Sequence, residues 1–375
     1  MPARGAAPAL AITALSAYAV RLTSHVPYEM AEGKRCEAVT SVLLRLETDA
    51  GLVGWGEVCP IPGYLPAYAA GVAPALAELA PHMLGADPLG AEALMHRLDA
   101  VLPGHPYVKS AIDIALWDLT AQAAALPLYA LLGGRHAADL PLYHSISCLA
   151  PERMAAIARE AQATGIAQFQ VKLGADADWR RDVERIMAVR EAVGTGPLVY
   201  ADWNCGATTL DAIRTGRAVA HLDVMLEQPC KSLEACAEVR RATGLAMKID
   251  ENGHDTASIL RGHALGCMDV VAVKLSKFGG LSAARRARDL CLARGIQMVI
   301  EDVWGSDVTT AAGLHLAAAT PAAAVLNVCD LSGYVSPRLD PAAPTRAAGR
   351  IAPPAGPGLG AVPDPALLGA PVFSA

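Results

Sequence analysis

Three acids stand at a regular interval in the middle of the chain: Asp202 in "LVYADWN", Glu227 in "DVMLEQP" and Asp250 in "AMKID", with spacings of 25 and 23 residues. Each closes a short apolar run of the kind that forms a β-strand, and neighbouring strands lie about 4.8 Å apart. Carboxylates at three adjacent strand ends therefore converge, where they repel one another and raise each other's pKa. A divalent cation removes that penalty. An all-oxygen set without His or Cys favours magnesium, which takes about six oxygens and leaves positions to water or substrate. Each acid alone could equally pair with a neighbouring Lys or Arg; the common register of the three points to a metal site. Two lysines flank them, Lys172 in "QFQVKLG" and Lys274 in "VVAVKL". A single lysine at a strand end is usually an ion-pair partner. Two of them on either side of a cation suit acid/base work, because desolvation and nearby positive charge bring an ammonium within reach of deprotonation.

The elements that must position these groups begin near residue 140. Eight apolar runs follow one another: 140–146, 168–174, 198–204, 223–229, 246–250, 270–275, 297–302 and 324–328. Between them lie amphipathic stretches such as "PERMAAIAREAQATG", which opens on proline and closes on glycine as helices do. Eight such repeats of about 25 residues predict a parallel (β/α)8 barrel of the TIM type, an α/β fold that carries its chemistry at the carboxyl ends of the strands. Read in order, those ends are polar: Lys172; Asp202 and Asn204; Glu227; Asp250 and Glu251; Lys274; Glu301 and Asp302. Lys172 and Lys274 fall on the second and sixth strands, opposite each other across the ring.

The preceding segment has another character. Ile12 to Arg21 alternate with period two, "AVTSVLLRLETDAGLVGWGEVCP" reads as strands around a turn at Asp49 to Gly51, and helical patterns follow. An α+β capping domain is expected over residues 1–135, a catalytic barrel over 136–340 and a C-terminal segment over 341–375. That last segment is rich in Pro, Gly and Ala, and composition alone reads it as disordered.

Composition narrows the function. The formal charge of −6 and the lack of a basic run give no footprint for nucleic acid or an anionic membrane. Nine scattered cysteines without CxxC spacing argue against a disulfide framework or a zinc site and fit a reducing cytoplasm. The first 22 residues imitate a signal peptide, but the period-two alternation reads better as a first strand, and no apolar run reaches the roughly 18 residues of a membrane span.

With these motifs in hand, "KSAIDIALWDL", "LLGG", "VKLG", "ADWN", "LEQPC", "IDENG", "VKLSKFGGL" and "EDVWGSDVTTAAGLHLA" together, the chain resembles the enolase superfamily, in its muconate-lactonising-enzyme-like subgroup, over nearly its whole length. The resemblance implies a modified, enolase-like barrel, with a capping domain that closes its mouth and is completed by the Pro-rich tail, which overrides the disorder reading. It also implies one Mg2+ per subunit on Asp202, Glu227 and Asp250, with Lys172 and Lys274 as the acid/base pair. One position departs from the pattern: Gln170 stands where many members carry the first lysine of Lys-x-Lys. "MVIED" lacks the histidine that the mandelate-racemase subgroup places on the seventh strand.

Within the family the resemblance points to enzymes of proline derivatives. It implies α-proton abstraction from a carboxylate substrate, with dehydration of cis-3-hydroxy-L-proline to Δ1-pyrroline-2-carboxylate and some 2-epimerisation. The alternative is 2-epimerisation of 4-hydroxyproline betaine. The expected pocket walls come from the loops 25–34 and 59–66, with Tyr28, Tyr64 and Trp304 as aromatic walls, Asn204 beside them, and Asp302 receiving a secondary ammonium. Such barrels often associate, so a homo-oligomer is expected. A Schiff-base aldolase and a non-catalytic metabolite binder are the readings from other classes.

Overall fold

A computed structural model of the chain describes residues 10–62 and 66–375, so Tyr64 lies outside the described residues. The N-terminal alternation forms β1 (Ile12–Glu29), which pairs antiparallel with β2 (Arg35–Thr48), itself paired with β3 (Val53–Val58). Helices α1 (Val72–Met83), α2 (Ala91–Val101) and α3 (Pro106–Ala123) cover one face, burying Leu15, Leu44, Leu46, Leu76, Leu79 and Leu119. The contact between β3 and α3 is so close that a Cβ on Gly56 would lie 1.8 Å from the Ala111 carbonyl oxygen. Gly56→Ala is therefore expected to cost about 1–3 kcal/mol or more by forcing the helix off the sheet, seen as a lower urea midpoint.

A short α4 (Leu128–Leu131) and β4 (Leu140–Pro141) lead into the barrel. Its strands are β5 (His144–Ile146), β6 (Gln168–Lys172), β7 (Leu198–Asp202), β8 (Val224–Glu227), β9 (Met247–Ile249), β10 (Val270–Lys274), β11 (Gln297–Glu301) and β12 (Val325–Val328). They form one parallel sheet in chain order. A parallel bridge from Leu142 to Val328 joins its two ends. The run expected at 140–146 thus splits in two, and only its second half is a strand of the barrel.

Helices α5 (Pro151–Ala163), α6 (Trp179–Val193), α7 (Thr209–Val219), α8 (Leu233–Thr243) and α9 (Thr256–Leu265) follow β5 to β9 in turn. Then come α10 (Leu275–Phe278), α11 (Leu281–Arg294) and α12 (Asp307–Ala318). After β12 comes a single turn of 3-10 helix, Leu331–Tyr334, in place of an eighth outer helix. Pro337, Pro341 and Pro344 follow closely, and proline both lacks the donor and blocks the geometry a helix needs.

From there the chain returns to the N-terminal sheet. β13 (Val335–Ser336) and β15 (Phe373–Ser374) both pair with β1, while β14 (Arg350–Ile351) pairs with β4. The reading of the tail as disordered from its composition is thereby overturned, since backbone pairing supplies the order that composition does not reveal. Among the described residues no helix is long and apolar enough to cross a membrane.

Buried polar groups tie the units together, Glu57 and His315 among them. Glu57 on β3 accepts hydrogen bonds from Ser306 N at 2.7 Å and Thr309 N at 2.9 Å, an anion set at the N-terminus of α12. His315 on α12 accepts from Tyr129 N at 3.2 Å, which places its proton on Nε2, 3.0 Å from the Leu359 carbonyl. Burial pushes the His315 pKa down to about 4 from 6.5, against the opposing pull of Leu359. The unfolded chain thus binds the extra proton first, and the stability this residue contributes is complete above pH 6.5 and lost as pH falls to about 4. That loss is worth about 3 kcal/mol. His315→Gln should flatten this acid limb in urea melts. Buried Asp113 and Asp118, raised to about 6 chiefly by burial, act in the opposite direction in both proteins and drop out of the comparison.

Candidate active site

Strand alternation decides which side chains enter the barrel. Phe169, Val171, Val199, Ala201, Leu226, Met247 and Ile249 face outward into the layer under the helices. Gln170 and Lys172, Tyr200 and Asp202, Met225 and Glu227, and Lys248 therefore face inward, as do Lys274 and Glu301. Register then sets the neighbours: Lys172 is opposite Asp202, Asp202 opposite Glu227, Glu227 opposite Lys248, and Lys274 opposite Glu301. Asp250 lies beyond the end of β9, one inward position past Lys248.

The acids are closely held. Lys172 Nζ donates to Asp202 Oδ2 and, at 3.1 Å, to Asn204 Oδ1. Gln170 Nε2 donates to Asp202 Oδ2 at 3.0 Å and to Glu227 Oε2 at 2.8 Å, so one amide draws the two carboxylates together. Asp250 takes Lys274 at 2.8 Å and Lys277 at 2.9 Å. Lys248, fully buried, lies 2.9 Å from Glu227 Oε1 without the alignment of a hydrogen bond. Among the described residues no three acids, histidines or cysteines are grouped as metal ligands would be, because each acid is turned toward an ammonium or amide.

The electrostatics record a shortage of positive charge. Burial, then Asp202, pushes Glu227 up to about 7; burial, then Asp250 and Asp202, pushes Glu251 up to about 8. Burial alone would lower the Lys172 ammonium, but Asp202, Tyr28 and Glu227 outweigh it and hold it well above the usual lysine range. Burial would raise Asp250, yet Lys274, Lys277 and Lys248 hold it well below the carboxylate range.

Lys172 and Lys274, four strands apart in a ring of eight, line one cavity of about 60 Å³ together with Tyr28, Glu301, Asp302 and Trp304. Tyr28 hydrogen-bonds Ser145 and meets Trp304 edge-on, with ring centroids 5.5 Å apart. The cap turn that follows Tyr28 rests on the barrel rim, where Glu32 N donates to the Gly174 carbonyl at 3.2 Å. A Cβ on Gly206 would stand 2.8 Å from that of Ala31. Asn204 is absent from the cavity wall; it is spent between Lys172 and Glu251. Three groups at the site have no role in the sequence reading: Lys248, Lys277 and Tyr143. The spacing of "AMKID" contained the signal for the first, since a lysine two residues before Asp250 must share its face.

Comparison with known proteins places this geometry. Residues 12–133 match the family described as mandelate racemase / muconate lactonizing enzyme, N-terminal domain, and residues 153–367 match the enolase C-terminal domain-like family. The chain belongs to the enolase superfamily. Cis-3-hydroxy-L-proline dehydratase of Roseibium aggregatum is 43% identical, covering 96% of this chain and 98% of that protein. N-succinyl-L-Arg/Lys racemase of Bacillus cereus is 31% identical over 82% of this chain and 84% of its own length. A solved enolase-superfamily structure from Roseovarius nubinhibens, complexed with magnesium, superposes with a TM-score of 0.92 at 38% identity, covering 98% of this chain and 99% of its own.

The barrel mouth of this superfamily member fits such a cation by charge and by donor type. Six carboxylates gather there (Asp202, Glu227, Asp250, Glu251, Glu301 and Asp302) against four ammonium groups (Lys172, Lys248, Lys274 and Lys277). The excess of two negative charges is what one divalent cation balances. Glu251 Oε2 is buried without a hydrogen-bond partner, and Glu227 Oε1 has only the misaligned Lys248 ammonium beside it; acceptors left in this way are costly unless a cation or donor meets them.

Proposed function

We propose that this protein dehydrates cis-3-hydroxy-L-proline to Δ1-pyrroline-2-carboxylate, with some 2-epimerisation, using Lys172 and Lys274 as the acid/base pair and Asp202, Glu227 and Asp250 to hold one Mg2+. The observation that carries the reading is that Lys172 and Lys274, on strands opposite each other in the ring, wall the same small cavity. The dehydratase of Roseibium aggregatum, similar over nearly the full chain, supports the substrate.

Held by Asp202, Glu227 and Asp250, magnesium would supply positive charge that stabilises the charge developing on a substrate carboxylate. In cis-3-hydroxyproline the hydroxyl and carboxylate share a ring face, so the α-hydrogen lies on the face opposite the hydroxyl. One lysine takes that proton, the C2–C3 double bond forms as the C3–O bond breaks, and the other ammonium protonates the departing hydroxide to water. The resulting enamine shifts a proton from nitrogen to C3, giving the cyclic imine. Where the second lysine instead returns a proton to the α-carbon, the product is the epimer. The racemase of Bacillus cereus, similar over most of the chain, keeps 2-epimerisation of a proline derivative as the second reading.

The division at about residues 135 and 340, and a cytoplasmic setting suited to nine unpaired thiols, belong to the same proposal. Proton NMR of protein and magnesium with cis-3-hydroxy-L-proline and, separately, 4-hydroxyproline betaine distinguishes the activities. Conversion of the first to the imine supports dehydration; inversion of the betaine with the first untouched replaces it with epimerisation.

A further inference from the structure

Resting on the amino-acid substrate proposed above, we propose that Glu301, held in place by Tyr143, receives the substrate's secondary ammonium, and that Asp302 serves as a fastening between strands. Both acids line the cavity, but their surroundings differ. Asp302 is already occupied by protein donors: Oδ2 accepts from Ser276 N at 2.9 Å, and Oδ1 accepts from Val303 N at 2.7 Å and from the Ser276 hydroxyl. Ser276 lies two residues past Lys274, so these bonds pin the end of β10 to the end of β11.

Glu301 is less engaged. It faces inward by strand alternation, and among the described residues the Tyr143 hydroxyl is the one group that hydrogen-bonds it, through Oε2. Lys248 Nζ stands 3.7 Å from Oε1, near enough to attract but too far for a hydrogen bond. A carboxylate offers about four acceptor positions, so Glu301 has capacity that Asp302 has spent. An ammonium entering a buried cavity needs a charged acceptor to replace water, and much of the remaining wall is Tyr28, Trp304, Met30, Ile61 and Leu331. A secondary ammonium can donate hydrogen bonds to Glu301; a quaternary betaine nitrogen has none to give. The assignment thereby favours unmethylated proline rings over the betaine.

The test compares binding of L-proline and tetrahydrofuran-2-carboxylate, which has a ring oxygen in place of the ammonium, to the magnesium-loaded protein by calorimetry. The parent should prefer L-proline by roughly 30-fold, as expected of a charge-assisted hydrogen bond, and Glu301→Gln should lower that preference at least about tenfold. Asp302→Asn should keep the preference and lower the melting temperature instead. Tyr143→Phe, which removes the hydroxyl that fixes the position of the Glu301 carboxylate and keeps the ring, should reduce the preference by about threefold and decides the matter should Glu301→Gln fail to fold: no reduction overturns the assignment. Preference retained in Glu301→Gln, or lost only in Asp302→Asn, also overturns it. A parent that binds both compounds equally, or neither, overturns the amino-acid reading itself and the assignment with it.

Discussion

Lys172→Met and Lys274→Met are each expected to lose the proposed dehydration by roughly 10²–10⁴-fold, the scale of a positioned proton-transfer group, but to do so differently. The variant missing the base forms no imine and takes up no solvent deuterium at the α-carbon of cis-3-hydroxy-L-proline. The variant missing the acid still removes the α-proton, so deuterium enters while the hydroxyl stays. The difference follows from the placement of the two amines on β6 and β10, on opposite walls of one cavity. It also assigns the roles, which symmetry of the pair leaves open. Equal exchange in both variants would contradict a two-sided mechanism. Methionine approximates the length of the lysine stem, so packing against the wall is largely kept, and folding can be checked by near-ultraviolet circular dichroism.

Asp250→Ala carries the second large effect, on stability and on metal affinity together. Asp250 is fully buried and takes both the Lys274 and the Lys277 ammonium groups. Truncating it leaves two buried cations without their carboxylate, and breaking a buried pair in this way costs about 3–5 kcal/mol. The urea midpoint should fall accordingly, and magnesium titration by calorimetry should show no saturable binding. Asp250→Asn keeps the shape and one acceptor, so it should lose the metal while destabilising less. A variant that lost stability but bound magnesium as the parent does would remove Asp250 from the ligand set.

Much of this site was legible because strand alternation and βα spacing are local properties. The run "QFQVK" fixes Lys172 on the inward face once Phe169 and Val171 are taken as the outward pair, and "LVYAD" does the same for Asp202. What could not be read was the stagger between strands. Register places Lys248, not Asp250, opposite Glu227, so a fully buried lysine became part of the acid cluster unnoticed. Which acids are engaged is likewise a property of loops meeting across the fold: Asp302 looked as available as Glu301 until Ser276 was seen to bond it. The last βα unit failed for a local reason, the prolines after Tyr334, while for the tail composition alone misled for a non-local one, its pairing with β1 some 360 residues earlier, and the family resemblance corrected it. Gln170, where a lysine was missed in the sequence, turns out to bridge Asp202 and Glu227.

The central claim is that the lysine pair, with a hard cation on the neighbouring acids, exchanges the proton next to a substrate carboxylate. Proton NMR of cis-3-hydroxy-L-proline in heavy water, with the protein and magnesium and again after chelation of the metal, tests it most directly. The expected result is metal-dependent disappearance of the α-proton resonance accompanied by the imine, both abolished in the Lys172→Met/Lys274→Met double variant. An α-proton that persists unchanged with magnesium present, or that vanishes equally in the double variant, would contradict it.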